Sequence, residues 1–272
     1  MIPVRVDRHE LELDVAAELE AARADFFAHA RAVGEGASVT ETITLGERLL
    51  CLLLVSDPGA YSDATVEAGE DLTFLYSALF NTRLPGGEPV DPPIANYCSV
   101  IPYTGTTEVH TVEAWTRLFW WSQLSWNGYA TEAMRSIMTH PLPSAPHPHR
   151  DTFREMLLTA VGDRPWVDGL MKASAAMPDD EEATAGDESV AEQVWLLERP
   201  LINMLVAAWN SDEADLARDT GAALAAHRSY WTATAERRRD PRGMFALPVA
   251  AVAAMVRRSG LGVVPVNESN RF

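Results

Sequence analysis

The sequence predicts a mainly α-helical protein: one multi-helix, antiparallel domain over residues 1–272, with a short β-hairpin-like insertion near 80–109. Three observations carry that expectation. Apolar residues recur at three- and four-residue intervals over stretches of helix length. Capping side chains stand where those stretches begin. Prolines gather in a few short segments, where a helix cannot continue. At 272 residues and 47% hydrophobic content, the chain can bury a core without disulfides or metals.

From the N-terminus, Asp14–Arg31 is rich in alanine and glutamate, with Leu19, Ala22, Phe26 and Ala30 on one stripe. Thr40–Val55 reads as a mostly buried helix ending before Asp57-Pro58-Gly59. Ser62 caps a third helix reaching about Phe80, with Val66, Leu72, Leu75 and Leu79 as its apolar face. Between Phe80 and Val109 the pattern changes. Pro85-Gly86-Gly87 signals a turn, and Pro89, Pro92, Pro93 and Pro102 exclude a helix, which makes this the non-helical insertion.

Thr111 restarts a helix loaded with Trp115, Phe119, Trp120, Trp121 and Trp126. Aromatic on more than one side, it is either sandwiched between neighbours or lines a groove. Residues 140–150 (HPLPSAPHPHR) and 178–188 (PDDEEATAGDE) read as solvated linkers. Farther on, Ser211 is placed as an N-cap, with Asp212, Glu213 and Asp215 in the first turn. Leu216, Thr220, Leu224, His227 and Trp231 then share one face, on which His227 reads as a hydrogen-bonded core histidine. Asp240-Pro241 spells a further start, for a helix closing with Arg257, Arg258 and Gly260.

Net charge is −17, and Lys172 is the sole lysine. That balance argues against nucleic acid or an anionic membrane as partner and favours a basic protein. Cys51 and Cys98 sit in apolar surroundings and read as free thiols of a reducing compartment. Met1–Asp14 interleaves charges where a secretory signal needs an apolar run, and Leu49–Val55 is too short to span a bilayer. The expected location is the cytoplasm.

Residues that could do chemistry are few. His140, His147 and His149 have chelating spacing but lie among prolines with no carboxylate or thiolate beside them. His110 and Glu113 are explained by helix capping and first-turn charge. No Gly-x-Ser-x-Gly elbow, phosphate loop, dinucleotide fingerprint or repeated Glu-x-x-His pattern occurs. No metal or cofactor is expected, and the absent motifs remove the common enzyme classes without identifying any catalytic residue. The densest constellation is His227, Tyr230 and Trp231 followed by Glu236, Arg237, Arg238 and Arg239, with the arginines read as the C-terminal end of the preceding helix. Arginine, tyrosine and tryptophan are the types enriched at binding hot spots.

Four segments carry a family resemblance: Pro200-Leu201-Ile202-Asn203, Ala225 through Trp231 (AAHRSYW), Asp240-Pro241-Arg242-Gly243 and Phe245-Ala246-Leu247-Pro248. A weaker echo lies at Ile101-Pro102 and in Trp115-Thr116-Arg117-Leu118-Phe119-Trp120. In these residues the chain resembles the immunity protein 49 family of bacterial polymorphic-toxin systems, most strongly over 200–261. The resemblance implies a protein that binds and neutralises a cognate toxin by occlusion. Candidate contacts are Trp120, Trp121, Tyr230 and Arg237–Arg239. The alternative is a helical scaffold recruited as a small-molecule binder or biosynthetic enzyme, with an aromatic pocket around Trp115, Phe119, His227 and Tyr230.

Overall fold

A computed structural model describes residues 2–4, 11–57, 62–84, 93–94, 97–98, 101, 103–125, 128–161, 167–178, 188–258 and 263–265. The fold is mainly helical, and the chain divides into two compact units. One is built from residues 13–145, the other from 1–12 together with 146–272.

In the 13–145 unit, α1 (Val15–Ala32) starts at Asp14, whose Oδ1 accepts the Ala17 N–H at 3.2 Å. Its buried residues, Ala22, Phe26 and Ala30, lie on the stripe read from the sequence. α2 (Val39–Ser56) is capped by Ser38 and becomes buried on nearly every side from Leu49 to Leu54, because α1 and α3 both pack on it. α3 (Asp63–Asn81) starts at Ser62, and Asp57 braces that cap by accepting from Ser62 N–H and Thr65 Oγ1. Leu72, Leu75 and Leu79 are buried, but Val66 is 49% exposed. Six residues before Leu72, it stands about 240° away around the helix and misses the core face.

α4 (Val112–Ser125) begins at Thr111, whose hydroxyl accepts the Ala114 N–H, and packs with α5 (Gly128–Arg135) against α3. The carboxylate of Glu47 joins three helices here, accepting from Tyr76 of α3 and from Arg117 and Trp121 of α4. Between α3 and α4 an antiparallel pair, Pro93–Ile94 with Tyr97–Cys98, forms the expected hairpin-like element. It packs on α3 with Ile94 buried. The turn expected at Pro85-Gly86-Gly87 lies outside the described residues, as does Trp126.

In the second unit, α6 (Pro148–Val161) and α7 (Val167–Ala176) cross closely at Gly169, where a Cβ would stand 3.1 Å from the Met156 backbone. The stretch read as a solvated linker over 140–150 is therefore helical from Pro148, with Leu142 and His149 buried. Most of the acidic stretch at 178–188 lies outside the described residues. α8 (Glu188–Gln193) runs through a π-turn at Val194–Glu198 into α9 (Arg199–Trp209). Proline lacks an N–H and its ring clashes with the carbonyl four residues back, so widening the helix just before Pro200 lets the chain continue.

α9 packs on α10 (Glu213–Thr232) and α12 (Leu247–Arg258). The cap of α10 is Asp212, not Ser211: its Oδ1 accepts from Ala214 and Asp215 N–H at 2.9 Å, while Ser211 takes a left-handed φ of 55° in the preceding turn. Asp240-Pro241 opens only a 3-10 turn, Pro241–Met244, and the chain extends at Phe245 before α12 begins. Pro248 explains the restart, since it fits the first turn of a helix but would break one begun at Pro241. A parallel pair that the sequence did not signal joins Ile2–Val4 to Val263–Pro265 and packs on α10. The expected C-terminal Gly260 is outside the described residues. No described helix is long and apolar enough to cross a membrane.

Candidate functional site

Past its buried stripe of Leu216, Thr220 and Ala223, α10 carries His227, Tyr230 and Trp231 half-buried at its C-terminal end. His227 and Trp231 are one turn apart, with ring centroids 6.1 Å apart, and Tyr230 meets the Trp231 indole edge-on at 5.4 Å. His227 is thus part of a surface aromatic row, not the core histidine expected.

The arginines do not continue α10. They lie on a separate short helix, α11 (Ala235–Arg238), which Thr234 starts by accepting the Arg237 N–H. This reversal turns two guanidiniums back onto α10. Arg237 stacks 3.8 Å over the Tyr230 ring, donates to the Tyr230 carbonyl at 3.1 Å and pairs with Glu192 at 2.8 Å. Arg238 donates to the Thr232 carbonyl at 2.9 Å and pairs with Glu12 at 2.8 Å. Tyr230 and Thr232 are in the last turn of α10, where the Tyr230 carbonyl also accepts the Ala233 N–H at 3.4 Å, so these cations add to the helix end and complement its dipole. Glu236 and Arg239 remain exposed.

Gly243 completes the corner. A Cβ there would lie 2.8 Å from Cβ and Cγ of Trp231, so only glycine lets the indole rest on this backbone. Asp240 caps the 3-10 turn through the Arg242 N–H and holds the Arg242 guanidinium, whose carbon stands 5.7 Å from the Trp231 ring centroid. The neighbouring segments AAHRSYW and DPRG, joined by residues 232–239, therefore form one packed aromatic–arginine corner.

The other expected site residues are elsewhere. Trp115 and Phe119 have no exposed surface, and Trp120 and Trp121 are only 2% and 5% exposed. Trp115 Nε1 donates to the Met134 carbonyl, and Phe119 meets Trp120 edge-on at 4.9 Å. Of the two readings of this helix, the structure gives the sandwiched one. Trp115, Phe119, Trp120 and Trp121 are therefore all buried side chains of the 13–145 unit.

His110 is buried as a neutral tether: Nε2 donates to the Leu79 carbonyl and Nδ1 accepts from Thr107 N–H, while burial lowers its pKa. Sequence reasoning missed what His149 does. Its Nε2 is 2.8 Å from Glu198, which also binds Arg150, and Arg150 reaches Gln193. Burial would raise the Glu198 carboxyl, but the hydrogen bonds and charges of His149 and Arg150 hold it below its ordinary value. No local pattern marks this pairing across nearly fifty residues. Among the described residues, no three His, Cys, Asp or Glu side chains converge as a metal site.

Neither a curated protein nor a solved structure matches the chain. The model of the immunity protein 49 family matches residues 113–268, more than half of the sequence and the whole of the α10–α11 corner. With the resembling segments of 200–248 inside that match, the chain belongs to the immunity protein 49 family.

Proposed function

We propose that this protein binds a cognate toxin domain and neutralises it by occlusion, performing no reaction of its own. Membership in the immunity protein 49 family is the observation that carries the reading. The α10–α11 corner is the contact proposed within the matched residues. His227, Tyr230 and Trp231 present partly exposed rings, and Glu236 and Arg239 face solvent beside them. Arg237 and Arg238 act from behind, fixing the rings before a partner arrives. Preorganised aromatic and arginine side chains lose little entropy on binding, which suits a hot spot. A net charge of −17 favours a basic partner and speeds its approach. The proposed setting is the cytoplasm, with neither membrane nor nucleic acid as partner.

The test is co-expression with the toxin encoded beside this protein's gene. Rescue of growth and co-elution of the purified pair are expected, with Tyr230→Ala weakening the complex. Persistent toxicity, with no association between the purified proteins, would remove the proposal.

A further inference from the structure

In the 13–145 unit, α1 and α3 flank α2 and leave a groove enclosing about 240 Å³. Its floor is Leu49 and Leu53 of α2, and its walls are Phe26 and Phe27 of α1 and Phe74 of α3. The groove stays open because Ala64 and Ala68, one turn apart on the facing stripe of α3, are too small to fill it. Around this apolar interior stand Glu67, Glu70 and Asp71. Glu67 and Glu70 are exposed and form no ion pair with any described residue. Arg23, the one cation among the lining residues, lies 3.7 Å from Glu20 of its own helix.

We propose that this groove docks a basic segment of a partner protein, seating one bulky apolar side chain on α2 and its flanking Lys or Arg side chains on Glu67 and Glu70. An apolar floor within an acidic rim selects by both terms. Burying the anchor supplies hydrophobic free energy, and the carboxylates repel acidic segments, anionic lipid and nucleic acid. Val66, half-exposed one turn before Glu70, extends the apolar surface beside the rim. Every lining residue precedes position 113, outside the family match, so this surface is additional to the α10–α11 corner. It draws on the neutralising reading only in taking the partner to be a protein.

The experiment is fluorescence anisotropy on the full chain with three labelled, end-capped peptides: Lys-Lys-Phe-Lys-Lys, Lys-Lys-Ala-Lys-Lys and Glu-Glu-Phe-Glu-Glu. Saturable binding of the first is expected, weaker binding of the second and none of the third. Ala64→Trp, which fills the groove, and the doubly reversed Glu67→Lys/Glu70→Lys should each raise Kd about tenfold or more, as losing the anchor or two surface charge pairs implies. Thermal melting checks that both variants fold. If Ala64→Trp does not, the charge reversal carries the test. Equal binding of the phenylalanine and alanine peptides, affinity unchanged in the folded variants, or no binding at millimolar peptide would each overturn the groove. No toxin enters this assay, so its failure stays distinct from a failure of neutralisation.

Discussion

Arg117 and Glu47, 70 residues apart in the chain, meet as a two-point ion pair, Nε to Oε1 at 2.7 Å and Nη2 to Oε2 at 2.8 Å. The carboxylate also accepts from the Tyr76 hydroxyl at 2.9 Å and from Trp121 Nε1 at 3.4 Å. Glu47 is 7% exposed, so replacing it with glutamine leaves a guanidinium without its anion beside buried donors. Breaking a fully buried pair costs several kcal/mol, but the Arg117 side chain keeps 39% exposure and solvent screens part of that loss. Glu47→Gln is expected to destabilise by about 2 kcal/mol in denaturant unfolding. A loss under about 0.5 kcal/mol would mean the pair does not join the helices energetically.

Glu198 gives the fold an acid-sensitive latch. With its pKa held below the ordinary 4.5, the folded state binds this proton more weakly than the unfolded chain. Its stabilisation is fully present above about pH 4.5 and is lost as pH falls through the lowered value. His149 and Arg150 are the groups facing it, and Arg150 keeps Gln193 when the carboxylate is neutralised. Glu198→Gln should lower stability at neutral pH and flatten the acid limb of a stability–pH curve. A variant curve parallel to wild type would contradict this.

Gly243 and Trp231 make a contact that a single methyl group should disrupt. Gly243→Ala drives a Cβ to 2.8 Å from the indole, and the corner must shift, costing about 1–3 kcal/mol. A blue or red displacement of tryptophan emission should accompany it. Gly128→Ala is the control: nothing lies within 4 Å of a Cβ there, and no loss is expected. Equal melting temperatures for the two variants would refute the close contact.

Core and surface aromatics should separate cleanly by measurement. Trp115→Ala empties a fully buried site and should cost about 3–5 kcal/mol. Arg239→Glu should change stability by no more than about 0.5 kcal/mol, and Tyr230→Ala, which loses the Arg237 stack and the Trp231 edge contact, by about 1–2 kcal/mol. Either is expected to weaken toxin binding about tenfold or more by calorimetry, as at a hot spot. Unaltered affinity in both would move the contact off the α10–α11 corner.

Much of the helical order is legible because its causes are local. Asp14, Ser62 and Thr111 start helices by accepting N–H groups three residues on, and the stripes of Phe26 and Leu72 follow from 3.6 residues per turn. The same grammar misplaced the α10 cap by one residue, since Ser211 and Asp212 both suit the role and only the left-handed turn at Ser211 chooses between them. It also read one helix from Asp240 where Pro248 imposes two segments.

What a side chain faces was decided by tertiary structure. Tryptophan suits a core and an interface equally, so Trp120 and Trp231 looked alike until packing buried one and left the other partly exposed. The bonds from Glu47 to Arg117 and from His149 to Glu198 span tens of residues. A helix is held by hydrogen bonds four residues long, which the sequence displays. Burial and charge pairing depend on which distant surfaces meet, and that exists only once the chain has folded.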